Sequence, residues 1–308
     1  MINRVLIRVK VVQVLYCYLL TRPDRSMDQA LAELDKSFEK AYDLYLGLLM
    51  LPVAITNLQE RRIDEAKNKF LPTAEDLTPN TRFIDNSLVE QIRQNADLQI
   101  LCENRLIQWD DPIMLRLMLE KVLKSEIYAQ YMAQPATDPA SDAELWRQLL
   151  RQVILPDEDF LDYMENDSLY ISAEDVDIMG QFALKTIKRI ADGAEDPISP
   201  MFRDDDDNLF GRQLLEKTIR DYDDNNVLID SCVYSERWDR SRVALMDRVV
   251  MNTAVTELKW FDQIPSQVTL NEYIELAKVF GSDGSGSFVN GVLDNVVNTL
   301  RQRGRLLK

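Results

Sequence analysis

Between Leu31 and Leu49 the apolar residues Leu31, Leu34, Phe38, Ala41, Tyr42, Tyr45, Leu48 and Leu49 fall three and four apart for about four turns of helix. Side chains at that spacing share one face of an α-helix, whereas a strand would need alternation with period two. The pattern returns at both ends of the chain. Val5, Val9, Val12, Tyr16 and Leu19 carry it near the start, and Val289, Val292, Leu293, Val296, Val297 and Leu300 near the end. Little interrupts it. Only 9 Gly and 11 Pro punctuate 308 residues, and good helix formers are abundant. With 46% apolar residues the chain can bury a sizeable core. These observations predict an all-α fold.

Local signals place the helix ends. A first helix runs from about Asn3 to Leu20 and stops at Thr21-Arg22-Pro23-Asp24. Capping-box patterns at Ser26–Gln29, Ser87–Glu90, Ser172–Asp175 and Thr269–Glu272 each predict a helix start. Pro52 lies within or just past the second helix, with helix resuming at Ala54. Pro112 suits a first helical position. A further helix is predicted from Ser241 to Phe261, and Gly281–Ser287 reads as a flexible loop. Residues 192–208 hold two Pro and seven acids, the best candidate for a boundary.

The residue inventory excludes several chemistries. There is no His, which removes histidine-dependent nucleophilic catalysis, HExxH metal sites and histidine switches. Cys17, Cys102 and Cys232 lie far apart without a CxxC and read as small buried hydrophobes. The run Asp204–Asp207 fails the EF-hand pattern, since Leu209 and Leu215 stand where Gly and Glu are required. The glycines from Gly281 do not form a dinucleotide fingerprint. No stretch of 18 consecutive apolar residues occurs, and no secretory cleavage site follows the start. The expectation is a cytoplasmic binding protein with no catalytic residues, no metal and no cofactor.

Charge is unevenly spread. The net charge is −16, yet residues 1–22 hold Arg4, Arg8, Lys10 and Arg22 with no acid. Residues 298–308 hold Arg301, Arg303, Arg305 and Lys308, again with no acid. Nine carboxylates and no base fall between Pro156 and Asp177. Arg4 and Arg8 are one turn apart and share a face, while Lys10 points to the other side.

The stretch Val268-Thr269-Leu270-Asn271-Glu272-Tyr273-Ile274-Glu275-Leu276-Ala277-Lys278-Val279-Phe280-Gly281, followed by Phe288-Val289-Asn290-Gly291-Val292-Leu293-Asp294, resembles the C-terminal signature of the NusB family. Val12-Gln13-Val14-Leu15-Tyr16 resembles that family's first helix, and Asp247–Leu258 a helix upstream of the signature. The resemblance implies a NusB-like helical bundle built from residues 1–22 and 209–308, with residues 23–208 as a helical insertion or second helical domain.

The resemblance also implies a function. NusB-like proteins pair with NusE, a small-subunit ribosomal protein. The pair binds boxA-type RNA in nascent ribosomal RNA transcripts, and the complex modifies elongating RNA polymerase. By position, Arg4, Arg8, Phe288 and Asn290 are expected on the RNA side, and Asp247 and Glu257 on the NusE side, with an i,i+4 structural role as the plainer account of Glu257. The basic cluster is thinner than the family's. That favours an alternative, a protein-only scaffold of the same fold that has lost direct RNA binding. An RNA methyltransferase does not fit, because no Pro-Cys motif and no cofactor-binding α/β domain accompany the NusB-like part.

Overall fold

Asn3 opens the first helix, as its side chain accepts from the Leu6 N–H at 3.0 Å. That helix, α1, spans Arg4–Leu20. The structure, a computed structural model, describes every residue except 1, 23, 136–137, 234–242, 305, 307 and 308. The expected helix start at Ser241 and the tail residues Arg305 and Lys308 lie outside the described residues. Among the described residues there are fifteen α-helices, one π-helical segment and no strand, so the protein is all-α.

The second helix, α2, spans Met27–Lys67 and passes through Pro52 without a break. An interior proline costs about 3 kcal/mol through a missing hydrogen bond and a steric clash. Here Leu48, Leu49, Leu51 and Ile55 on either side of it are fully buried, and their packing holds the helix together. Ser26 and Gln29 form the expected capping box, exchanging bonds of 2.8 and 3.2 Å. By length and hydropathy α2 could cross a membrane, but 72% of its apolar window is buried inside the fold, as in a core helix.

The chain divides into two compact units. One is Glu39–Met201. Besides most of α2 it holds α3 (Ala74–Leu77), α4 (Ser87–Gln94), α5 (Ala96–Arg105), α6 (Pro112–Lys124), α7 (Glu126–Met132), α8 (Pro139–Leu149), a π-helical segment Leu150–Ile154, α9 (Glu158–Asp167) and α10 (Ala173–Ala191). Trp146, Phe83 and Phe160 fill its core. Pro112 takes the expected first helical position, behind an Asp111 cap, and the expected cap holds at Ser172 with Asp175. Helix α4 differs. Its cap is Asn86, whose Oδ1 accepts from the Leu88 and Val89 N–H groups. Ser87 instead donates its backbone N–H and hydroxyl to buried Asp142, at 2.8 and 2.7 Å. Tertiary packing thus shifted the cap by one residue.

The other unit is Ile2–Phe38 with Phe202–Lys308. It holds α1, the start of α2, α11 (Asp205–Arg220), α12 (Tyr222–Cys232), α13 (Leu245–Trp260), α14 (Ser266–Phe280) and α15 (Ser285–Gln302). It reaches beyond Arg22 into α2 because Leu34 and Phe38 are core residues, with Phe38 edge-on to Phe202 at 5.5 Å. Gly211 lets α11 approach closely, since a Cβ there would lie 2.9 Å from Ile7 and 3.1 Å from Phe38. Helix α13 packs against α1, α11, α12, α14 and α15, and is buried from Val249 to Leu258.

Two sequence expectations are corrected in this unit. Helix α14 begins after Pro265, so Thr269 lies inside it rather than capping it. The Gly-Ser stretch is a loop only as far as Gly284, and its last three residues are helical. Gly284 adopts φ 89°, a left-handed turn that glycine reaches at little cost, and α15 starts at Ser285. One cysteine also departs from its expected burial: Cys17 is exposed, while Cys102 and Cys232 are buried.

Candidate functional site

The candidate site starts on α1, where Arg4 and Arg8 do share a face. The ring of Phe210 on α11 serves both: Arg4 Cζ is 5.2 Å and Arg8 Cζ 5.6 Å from its centroid. Their fates then diverge. The Arg4 side chain is 35% exposed, and its Nε pairs with Asp207 at 3.1 Å. Asp207 belongs to the four-aspartate run, and Asp204 in the same run caps α11 by accepting from the Asp207 N–H. That run therefore anchors α11 and α1.

Arg8 is only 3% exposed. Its Nε and Nη2 donate to the two carboxylate oxygens of Glu257, at 2.8 and 2.9 Å, in a bidentate pair. Its Nη1 reaches the Arg4 carbonyl at 3.3 Å and lies 3.6 Å from Glu272. Glu257 is fully buried and also accepts from the hydroxyls of Thr269, at 2.9 Å, and Tyr273, at 3.0 Å. Burial is the largest influence and works against the Arg8 charge, but the hydrogen bond to Glu257 together with the charges of Tyr273, Glu257 and Glu272 outweighs it and raises the guanidinium above its ordinary pKa. Burial, reinforced by the Glu257 charge, pushes the Tyr273 phenol well up, so it stays a hydrogen-bond donor.

Two of the expected site residues meet each other. Position in the sequence puts Arg8 on the RNA side and Glu257 on the NusE side, yet each is the other's partner. An i,i+4 salt bridge for Glu257 does not arise either, because Thr253 and Phe261 occupy those positions. The physical reason is the central place of α13: a helix surrounded by five others has no solvent face for an acid. Lys10, expected on the opposite side of α1, is also fully buried.

Asp247, in the first turn of α13, is buried too. Burial raises its carboxyl above the ordinary value, and a hydrogen bond from Ser285 at the start of α15 pulls the other way. Its Oδ1 finds no hydrogen-bond partner among the described residues. Phe288 is 7% exposed on the inner side of α15, whereas Asn290 is exposed. Of the six expected site residues, Arg4 and Asn290 present their side chains to solvent.

Sequence reasoning missed Thr269, Tyr273 and Phe210. A signal existed for the first two. A glutamate within the run Val249–Leu258, lacking any basic residue four away, demands donors from elsewhere, and Thr269 and Tyr273 lie one turn apart on the next helix.

Comparison with known proteins adds a relationship. The NusB family model matches residues 173–298. The transcription antitermination protein NusB of Bacillus mycoides (strain KBAB4) is 39% identical over 90 residues, which is 29% of this chain and 69% of that protein. Proteins of the same description from Bacillus thuringiensis (strain Al Hakam) and Bacillus anthracis (strain A0248) are 38% identical over the same length. The chain belongs to the NusB family. No solved structure matches it. The NusB match takes in α10 to α14 and most of α15, and with them Asp247, Glu257, Thr269, Tyr273, Phe288 and Asn290. It begins inside the stretch expected to be an insertion, and α1 with its two arginines lies outside it.

Proposed function

We propose that this NusB-family chain is a transcription antitermination factor that binds NusE and boxA-type RNA in nascent ribosomal RNA transcripts and thereby modifies elongating RNA polymerase. The observation that carries the reading is the continuous NusB match over residues 173–298, including the Phe288-Val289-Asn290-Gly291 motif. The relatives over this region are named transcription antitermination proteins.

In this reading Arg4 and Asn290 touch the RNA. Arg8 and Phe288 act from beneath, Arg8 by fixing the backbone at the Arg4 carbonyl and Phe288 by seating the first turns of α15. Asp247 and Glu257 hold the two ends of α13 and so shape the face offered to NusE. Residues 39–201 form an accessory helical unit whose acidic α9 suits a basic protein surface.

A second reading, a protein-only scaffold, draws on a specific observation. Arg8 is occupied by Glu257 and Arg4 by Asp207, which leaves little free positive charge on α1. Titration of labelled boxA-type RNA, with and without NusE and at two salt concentrations, separates them. Salt-dependent RNA binding that rises with NusE supports the antitermination reading. NusE binding with no RNA contribution leaves the scaffold.

A further inference from the structure

Trp260 ends α13 and is 46% exposed. Its indole N–H donates to Asp221 Oδ2 at 2.8 Å, which fixes the ring in place. Lys217 Nζ sits 4.4 Å from the ring centroid and Arg220 Cζ 5.7 Å, both from the last turns of α11. Lys259 reaches Asn225 Oδ1 at 3.0 Å and Asp221 Oδ2 at 3.5 Å. Three cations therefore gather around one half-exposed indole. Asp221, whose oxygens answer Trp260, Lys259 and Arg220, is the carboxylate common to the ring and two of these cations. Asp223, two residues on, has Arg22 at 3.8 Å. A net charge of −16 makes such a gathering costly to neglect as mere surface solvation.

We propose that Trp260, Lys217 and Arg220 form a stacking platform for single-stranded RNA, with a base on the indole and the adjoining phosphates on the two cations. Single strands are bound in this way because every base has a π-face and every linkage a charge. The pre-set orientation of the ring lowers the entropic cost of stacking. The platform is linked to the Arg4 region through α11 and a buried aromatic pair. Phe210, which lies against Arg4, precedes Lys217 by seven residues on α11, roughly 10 Å along the axis. Phe210 also packs edge-on against Phe261, the neighbour of Trp260, at 5.0 Å.

The inference rests on the RNA-binding reading and extends it to a second region of the surface. The test is a titration of the full chain with fluorescein-labelled single-stranded RNA of boxA type, in the presence of NusE, for wild type, Arg4→Ala, Trp260→Ala, Trp260→Phe and Lys217→Ala/Arg220→Ala. Trp260→Ala is expected to weaken binding about tenfold and Trp260→Phe far less, since a phenyl ring still stacks. The double variant is expected to lower the slope of log K against log salt by about 1.4, or about 0.7 for each phosphate left without its cation. Circular dichroism of each variant guards against unfolding, and the double variant alters only surface side chains. Equal RNA affinity of wild type, both Trp260 variants and the double variant, with Arg4→Ala impaired, overturns the platform and leaves the RNA reading standing. No RNA binding by the wild type removes both. Loss of NusE binding in Trp260→Ala with RNA affinity intact makes the patch a protein-docking surface and overturns the proposal.

Discussion

A single glutamate, Glu257, decides how much of this site is surface and how much is core. It accepts two bonds from Arg8 and one each from Thr269 and Tyr273, so its four acceptances come from α1 and α14. Removing one member of a buried ion pair strands the other, at a cost of about 3–5 kcal/mol. Arg8→Ala is accordingly expected to destabilise the protein by about that much in urea unfolding. A loss under ~1 kcal/mol would show the pair to be dispensable. Asp247 gives a pH-dependent expectation. Burial raises its carboxyl, so the folded protein holds that proton more tightly than the unfolded chain does. Its contribution then favours folding at low pH and turns against folding as pH rises through the raised value. Asp247→Asn should raise Tm at pH 7, with the gain shrinking as pH falls toward about 4. A gain that is the same at both pH values would sink this account.

At the scale of elements, close approach between α11 and α1 depends on the absence of a side chain at Gly211. A methyl group there would press on Ile7 and on the ring of Phe38, both fully or almost fully buried. Gly211→Ala should therefore cost about 1–3 kcal/mol by overpacking, against the small gain in helix propensity an exposed site would show. Chemical denaturation measures the sign directly. Helix α13 buries polar side chains as well as apolar ones. Asn252, Thr253 and Thr256 are polar, and all three are fully buried. Thr253 and Thr256 donate back to the carbonyls of Val249 and Asn252, and Asn225 donates to Thr256 at 2.9 Å. Short hydroxyl side chains can satisfy themselves on their own helix, so they enter a core at low cost.

For the molecule as a whole, charge is the property that limits partners. Among the described residues, the carboxylates of α9 include Glu158, Asp162 and Asp167, all exposed. If this unit steers a basic protein, Glu158→Gln/Asp162→Asn/Asp167→Asn should slow association with NusE several-fold at low salt and leave dissociation unchanged, as stopped-flow would show. An unchanged association rate would remove α9 from the encounter. The sequence by itself determined the helical class, most of the helix ends and the kinship of the C-terminal part, because helical period, capping residues and a motif of fixed spacing are all local. It also placed Arg4 and Arg8 on one face, since one turn of helix guarantees it. Tertiary structure alone decided that Arg8 turns inward to Glu257 while Arg4 stays at the surface. It also decided that Trp260 meets Lys217 and Arg220. Each of these joins residues far apart in the chain, and no local pattern encodes which faces of six helices will meet.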